Sequence, residues 1–210
     1  MKVRVKVCGV RSPRDLLTVV DAGVDAVGFV VDVPSSPRSL TLEEAGRLTE
    51  LTPVFVETVA VTVARGLDHL RKIADVVNPS AIQIHGLKSF NGKLRSVLRG
   101  VKLIAAIPAT PSAPKLAAEA ARFFDAVLID TPGGGTGRTH DWSISRRVRE
   151  LISPKPLILA GGLNPANVEE AIRSVRPYAV DVSSGVEAKP GVKDPEKVFE
   201  FVRRAAGVEV

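Results

Sequence analysis

Three features of the 210-residue chain predict an α/β fold, a single (β/α)8 TIM barrel spanning residues 1–210. Apolar runs rich in Val, Ile and Ala recur eight times, stretches with helical spacing lie between them, and capping residues and glycines punctuate the joins. A doubly wound open sheet of this length would usually carry fewer strands.

The runs are residues 3–7, 26–31, 59–63, 81–84, 103–107, 126–129, 157–160 and 179–182. Each reads as a short strand buried on both faces, as in a parallel sheet covered by helices. Between the first two runs, Leu16, Leu17 and Val20 recur at helical spacing up to Gly23; further on Leu67, Leu70, Ile73, Ala74 and Val77 do the same. Ser12-Pro13, Asn164-Pro165 and Asp194-Pro195 each set a capping side chain before a proline suited to a first helical turn, so three helices are expected to begin there. Gly23, Gly100 and Gly207 follow helical segments where a left-handed C-cap is expected.

Hydrophobic residues at 45% are enough to bury one core of ordinary size. No stretch of about 18 apolar residues occurs that could span a membrane. The start, Met1-Lys2-Val3-Arg4, alternates charge with valine instead of offering an apolar leader. A single cysteine excludes an intrachain disulfide, and the chain is expected to be cytoplasmic. The net charge of +6 does not point to nucleic acid, because Lys and Arg are dispersed and aromatics, at 4%, are too few to stack bases. A phosphorylated small molecule suits that balance better, and the chain is expected to be a monomer or a homodimer.

In a barrel of this kind the chemistry gathers at the C-terminal ends of the strands. Cys8-Gly9 ends the first run; it is either a small buried hydrophobe or a reactive thiol. Asp130 ends the sixth, followed by Gly133 to Gly137 as an expected mobile lid. It is either a turn residue or a proton donor once water is excluded. Gly161-Gly162 and Ser183-Ser184-Gly185, after the last two runs, bare backbone N–H groups where barrels often hold phosphate, with 186–187 as a short extra helix. Glycine and serine also favour plain tight turns. To act as a base Cys8 must be thiolate, which requires positive charge nearby; Lys6, on the same face if side chains alternate, and Arg38 are the candidates.

Several motifs appear together in one order: Lys6-Val7-Cys8-Gly9, residues 23–29, Ser36-Pro37-Arg38, Gln83-Ile84-His85-Gly86, residues 134–137 with Asp141-Trp142, residues 159–163, and residues 181–187 with Pro190-Gly191 and Lys193-Asp194. In this the chain resembles the phosphoribosylanthranilate isomerases of tryptophan biosynthesis over almost its whole length. The resemblance implies a cofactor-free, metal-free Amadori rearrangement of N-(5-phosphoribosyl)anthranilate. It assigns Asp130 as general acid and Cys8 as general base. Arg38 would pair the anthranilate carboxylate, and Gln83, His85 and Asp181 would contact the sugar. Gly161, Gly162, Ser183, Ser184 and Gly185 would hold the 5-phosphate.

Two stretches depart from the usual pattern: Ala60-Val61-Thr62-Val63-Ala64 at the third run, and His140 in place of an aromatic before Asp141-Trp142. A histidine-pathway isomerase performing the same rearrangement would want aspartate at position 8. A non-catalytic binding barrel would have no reason to carry Cys8 and Asp130 together.

Overall fold

The computed structural model describes residues 2–87, 92–133 and 137–209. The strands are β1 (Arg4–Cys8), β2 (Ala26–Val31), β3 (Ser39–Leu40), β4 (Glu57–Val63), β5 (Ala81–His85), β6 (Lys102–Pro108), β7 (Ala126–Asp130), β8 (Leu157–Leu159), β9 (Ala179–Val182), β10 (Glu187–Lys189) and β11 (Val192–Lys193). β1, β2 and β4 to β9 form a closed parallel ring, because β1 pairs with β2 on one side and with β9 on the other. The two-residue β3 rides on the edge of β2, and β10 and β11 make an antiparallel hairpin after the last barrel strand.

The helices are α1 (Pro13–Asp21), α2 (Leu42–Leu51), α3 (Leu67–Val77), α4 (Lys93–Val97), α5 (Ala113–Ala120), α6 (Trp142–Ile152), α7 (Val168–Val175) and α8 (Pro195–Ala206). α1 begins as its sequence predicts: Ser12 Oγ accepts the Asp15 N–H at 3.1 Å and Pro13 takes the first turn. Asp194 caps α8 in the same way, accepting from Lys197 N at 3.3 Å.

Other local expectations are corrected. Asn164 caps no helix: its side chain accepts the Ala166 N–H and closes a local turn, Asn167 accepts the Asn164 N–H, and α7 starts only at Val168. Gly23 and Gly100 adopt the expected left-handed conformation at φ +84°, whereas Gly207 is right-handed at φ −79°. α1 buries Leu16 and Val19 and leaves Leu17 62% exposed, since one residue along a helix lies about 100° round from its neighbour. Of the expected glycine lid, residues 134–136 lie outside the described residues.

Period-two alternation divides the strand side chains into two layers. Val7, Val27, Phe29, Ile82 and Ile129 face the helices and join the large outer core. Cys8, Val30, Val59, Val61, Ile104, Ala106, Leu128 and Ile158 fill the barrel interior. Alternation therefore directs Lys6 inward with Cys8, Gln83 and His85 inward with Ala81, Asp130 inward with Ala126 and Leu128, and Asp181 inward with Ala179. No helix among the described residues is long and apolar enough to cross a membrane.

Candidate active site

Strand register explains the first contact in the barrel. Lys6 on β1 stands opposite Asp181 on β9, and their buried side chains pair, Nζ to Oδ1, at 2.9 Å. On the other flank Cys8 stands opposite Gly28. A Cβ at Gly28 would lie 2.8 Å from Cys8 Sγ and 3.0 Å from Lys6 Nζ, so the thiol and the ammonium meet over a glycine that has no side chain to hold them apart.

A cavity of about 560 Å³ opens at the C-terminal end of the strands. Cys8, Gln83, His85, Asp130 and Asp181 line it from the inner face, and Arg38 lines it from the loop after β2. Cys8 and Asp130 come from strands three steps apart round the ring. Gly161, Gly162, Ser183 and Ser184 line the same cavity from the turns after β8 and β9; Gly185 does not. Gly185 serves instead as a crossing point, where a Cβ would collide with the Leu163 carbonyl. Gly161 and Gly162, at φ +87° and +67°, lie so close to Thr131 and to the Arg138 backbone that any side chain would push the two loops apart. A single 3₁₀ turn, Ser184–Val186, stands where the short extra helix is expected. Among the described residues, Gln83 Oε1 and Ser183 Oγ are buried without a hydrogen-bond partner, which leaves both able to bind something in the cavity.

Charge in this site departs from the expectation of a thiol with lowered pKa. Burial pushes the Cys8 thiol up; Lys6 and Lys193 pull it down, but the Asp181 carboxylate opposes them, and the net shift is upward. Lys6 is therefore present as expected, yet Asp181 offsets much of its charge. Burial, reinforced by repulsion from Asp181, raises the Asp130 carboxyl to about 6 against the opposing pull of the Thr131 N–H and Lys6. Burial, with Lys6 beside it, lowers His85 to about 4 and keeps the ring neutral. The Gln83 amide nitrogen lies 3.0 Å from His85 Nε2 and can only donate, so that ring nitrogen accepts and the ring hydrogen sits on Nδ1.

Two functional candidates lay beyond sequence reasoning. Glu187 grips Arg38 with both oxygens, from Nε at 2.8 Å and from Nη2 at 2.7 Å. Lys193 Nζ donates to Glu187 Oε1 at 3.0 Å and to the carbonyl oxygen of Cys8 at 2.6 Å. Both residues stand in the stretch that carries the family resemblance, but only the β10–β11 hairpin folds them back under the site. Arg38 is thus not a free fork: two of its five N–H donors are engaged and three remain. His140 sits between Ser145 Oγ, 2.7 Å from Nε2, and Thr131 Oγ1, 3.3 Å from Nδ1, and does not line the cavity. Trp142 packs against the outer core at the start of α6.

A closed parallel barrel that turns a thiol and a carboxyl of raised pKa into one cavity, beside glycine and serine turns, has the makings of an enzyme for acid–base chemistry on a small anionic ligand. Residues 5–204 match the family described as N-(5'-phosphoribosyl)anthranilate (PRA) isomerase. An N-(5'-phosphoribosyl)anthranilate isomerase from Methanothrix thermoacetophila is 47% identical over 207 residues, covering 96% of this chain and 97% of the relative. Among solved structures, monomers generated from the dimeric phosphoribosylanthranilate isomerase of Thermotoga maritima match with 37% identity and a TM-score of 0.85, covering 98% of this chain and 100% of that one. A phosphoribosylanthranilate isomerase in complex with reduced 1-(o-carboxyphenylamino)-1-deoxyribulose 5-phosphate matches equally well, at 37% identity, a TM-score of 0.85 and the same coverage. This chain belongs to the N-(5'-phosphoribosyl)anthranilate isomerase family.

Proposed function

We propose that the chain catalyses the Amadori rearrangement of N-(5-phosphoribosyl)anthranilate to 1-(2-carboxyphenylamino)-1-deoxyribulose 5-phosphate, the aldose–ketose isomerisation of tryptophan biosynthesis, by acid–base catalysis without a cofactor. The observation that carries this reading is that Cys8 and Asp130 line one cavity whose rim is formed by the glycine and serine turns.

Protonated Asp130 gives its proton to the ribose ring oxygen. The C1–O bond breaks as the anthranilate nitrogen lone pair forms C1=N. Cys8, as thiolate, removes the C2 proton, and the freed electron pair forms C1=C2 and returns charge to nitrogen. The resulting enolamine loses its C2 hydroxyl proton and gains one at C1, which leaves the ketone and no net change in protons. Each well-placed acid or base contributes on the order of 10²–10⁴ in rate.

Arg38 presents its three unengaged N–H groups to the anthranilate carboxylate. Gln83, His85 and Asp181 meet the sugar hydroxyls, and the backbone N–H groups of Gly161, Gly162, Ser183 and Ser184, with Gly185 shaping the turn, hold the phosphate. We read the chain as one domain over residues 1–210, cytoplasmic, without nucleic-acid or membrane partners, and as a monomer or homodimer. The test is loss of phosphoribosylanthranilate fluorescence on mixing fresh substrate with folded protein; persistence of the signal would overturn the reading.

A further inference from the structure

Lys193 is the most completely enclosed charged side chain of the site, 0% exposed, and it donates three hydrogen bonds. They run to the Cys8 carbonyl at 2.6 Å, to Glu187 Oε1 at 3.0 Å and to the Ser183 carbonyl at 3.2 Å. Three donated bonds require three N–H groups, so the amine is held as ammonium. Glu187 accepts from this ammonium and, through both oxygens, from Arg38, whose side chain is 12% exposed. The cluster therefore contains two cations and one anion, with a surplus of one positive charge.

That surplus decides what Arg38 can do. A guanidinium closed against a single carboxylate is a neutral pair with little attraction left for a second anion. With Lys193 matched to the same carboxylate, the unbalanced charge falls to Arg38, the only member of the trio that lines the cavity. The same lysine fastens the end of β1 and the turn after β9 by their carbonyls, so the three groups expected to meet ligand share one anchor.

We infer that Lys193 is a positioning residue that neutralises Glu187 and so frees the charge of Arg38 for a carboxylate on the aryl end of the ligand. This rests on the reading of Arg38 given under the proposed function.

The test is calorimetric binding of two ligands, 1-(2-carboxyphenylamino)-1-deoxyribulose 5-phosphate and its analogue lacking the ring carboxyl. Lys193→Met is expected to weaken the carboxylated ligand by about tenfold or more while leaving the analogue within about twofold. Adding Glu187→Gln restores the surplus charge and is expected to recover most of that loss. Equal weakening of both ligands, no weakening, or a double variant no better than the single one would overturn the inference, because a packing role predicts no recovery.

Arg38→Met, measured in parallel, keeps the two readings apart. If it too fails to separate the ligands, the assignment of Arg38 to the carboxylate falls and the inference falls with it; if Arg38→Met separates them and Lys193→Met does not, only the charge balance is wrong. Should Lys193→Met not fold, the uncharged pair Lys193→Gln with Glu187→Gln decides: retained preference for the carboxylated ligand supports the inference, and lost preference refutes it.

Discussion

Cys8 and Asp130 share a single proton across the neutral range. Asp130 titrates at about 6 and the thiol above its ordinary value, so between those points most molecules carry thiol and carboxylate. Catalysis uses the minority arrangement with the proton on the carboxyl, and the fraction of that arrangement is constant wherever the pair holds one proton. Below pH 6 a second proton binds and removes the base; above the thiol pKa the last proton leaves and removes the acid. The expected profile of kcat/KM is therefore level from about pH 6 upward into the thiol range, falling on the acid side of 6. A rate that already declines above pH 6 would show that the two groups titrate in the other sense. Cys8→Ser and Asp130→Asn are each expected to lower kcat by about 10²–10⁴ with a small change in KM, measured over substrate concentrations that span KM. Unchanged turnover in either variant removes that residue from the mechanism.

Strand alternation is the device that makes the site, and it works only where the small residues permit. Gly28→Ala would bring a methyl to 2.8 Å from the thiol and 3.0 Å from the Cys8 Cα, so either side chain or backbone must give. The expected cost is about 1–3 kcal/mol in urea denaturation, together with a fall in kcat because the thiol is displaced. Full activity in that variant would show that the Cys8–Lys6 contact over Gly28 has no catalytic bearing. Ser12→Ala, by contrast, removes only the α1 cap and is expected to cost about 1 kcal/mol with kcat unchanged. Caps of this kind were readable at Ser12 and Asp194, because donor and acceptor lie three residues apart. At Asn164 the reading failed, since Asn167 offers a competing side chain and the chain first makes a turn.

At the scale of the molecule, the ring puts its two ends to different uses. The cavity occupies the C-terminal end, while the loop before β4 projects from the other with Val54 80% and Phe55 98% exposed. Phe55 also adopts φ +76°, a conformation that costs a bulky residue energy. Two large apolar side chains are thus held out at the end of the ring opposite the cavity. Phe55→Asp is expected to leave kcat unchanged, because the tip lies away from the cavity. A lowered kcat in that variant would refute this.

What the sequence determined alone was the part encoded locally: eight buried runs, the helical spacings between them, two N-caps, and the strand-end positions of Cys8, Asp130 and the glycine and serine turns. Hydrophobic period and capping chemistry act over a few residues, so they survive in a one-dimensional reading. Ring closure decided the rest. Lys6 meets Asp181 across 175 residues, and Lys193 reaches the Cys8 carbonyl across 185. Burial and distant charge acting together reversed the expected direction of the thiol shift. Such effects depend on three-dimensional distance and solvent exclusion, neither of which is carried by neighbouring residues in the chain.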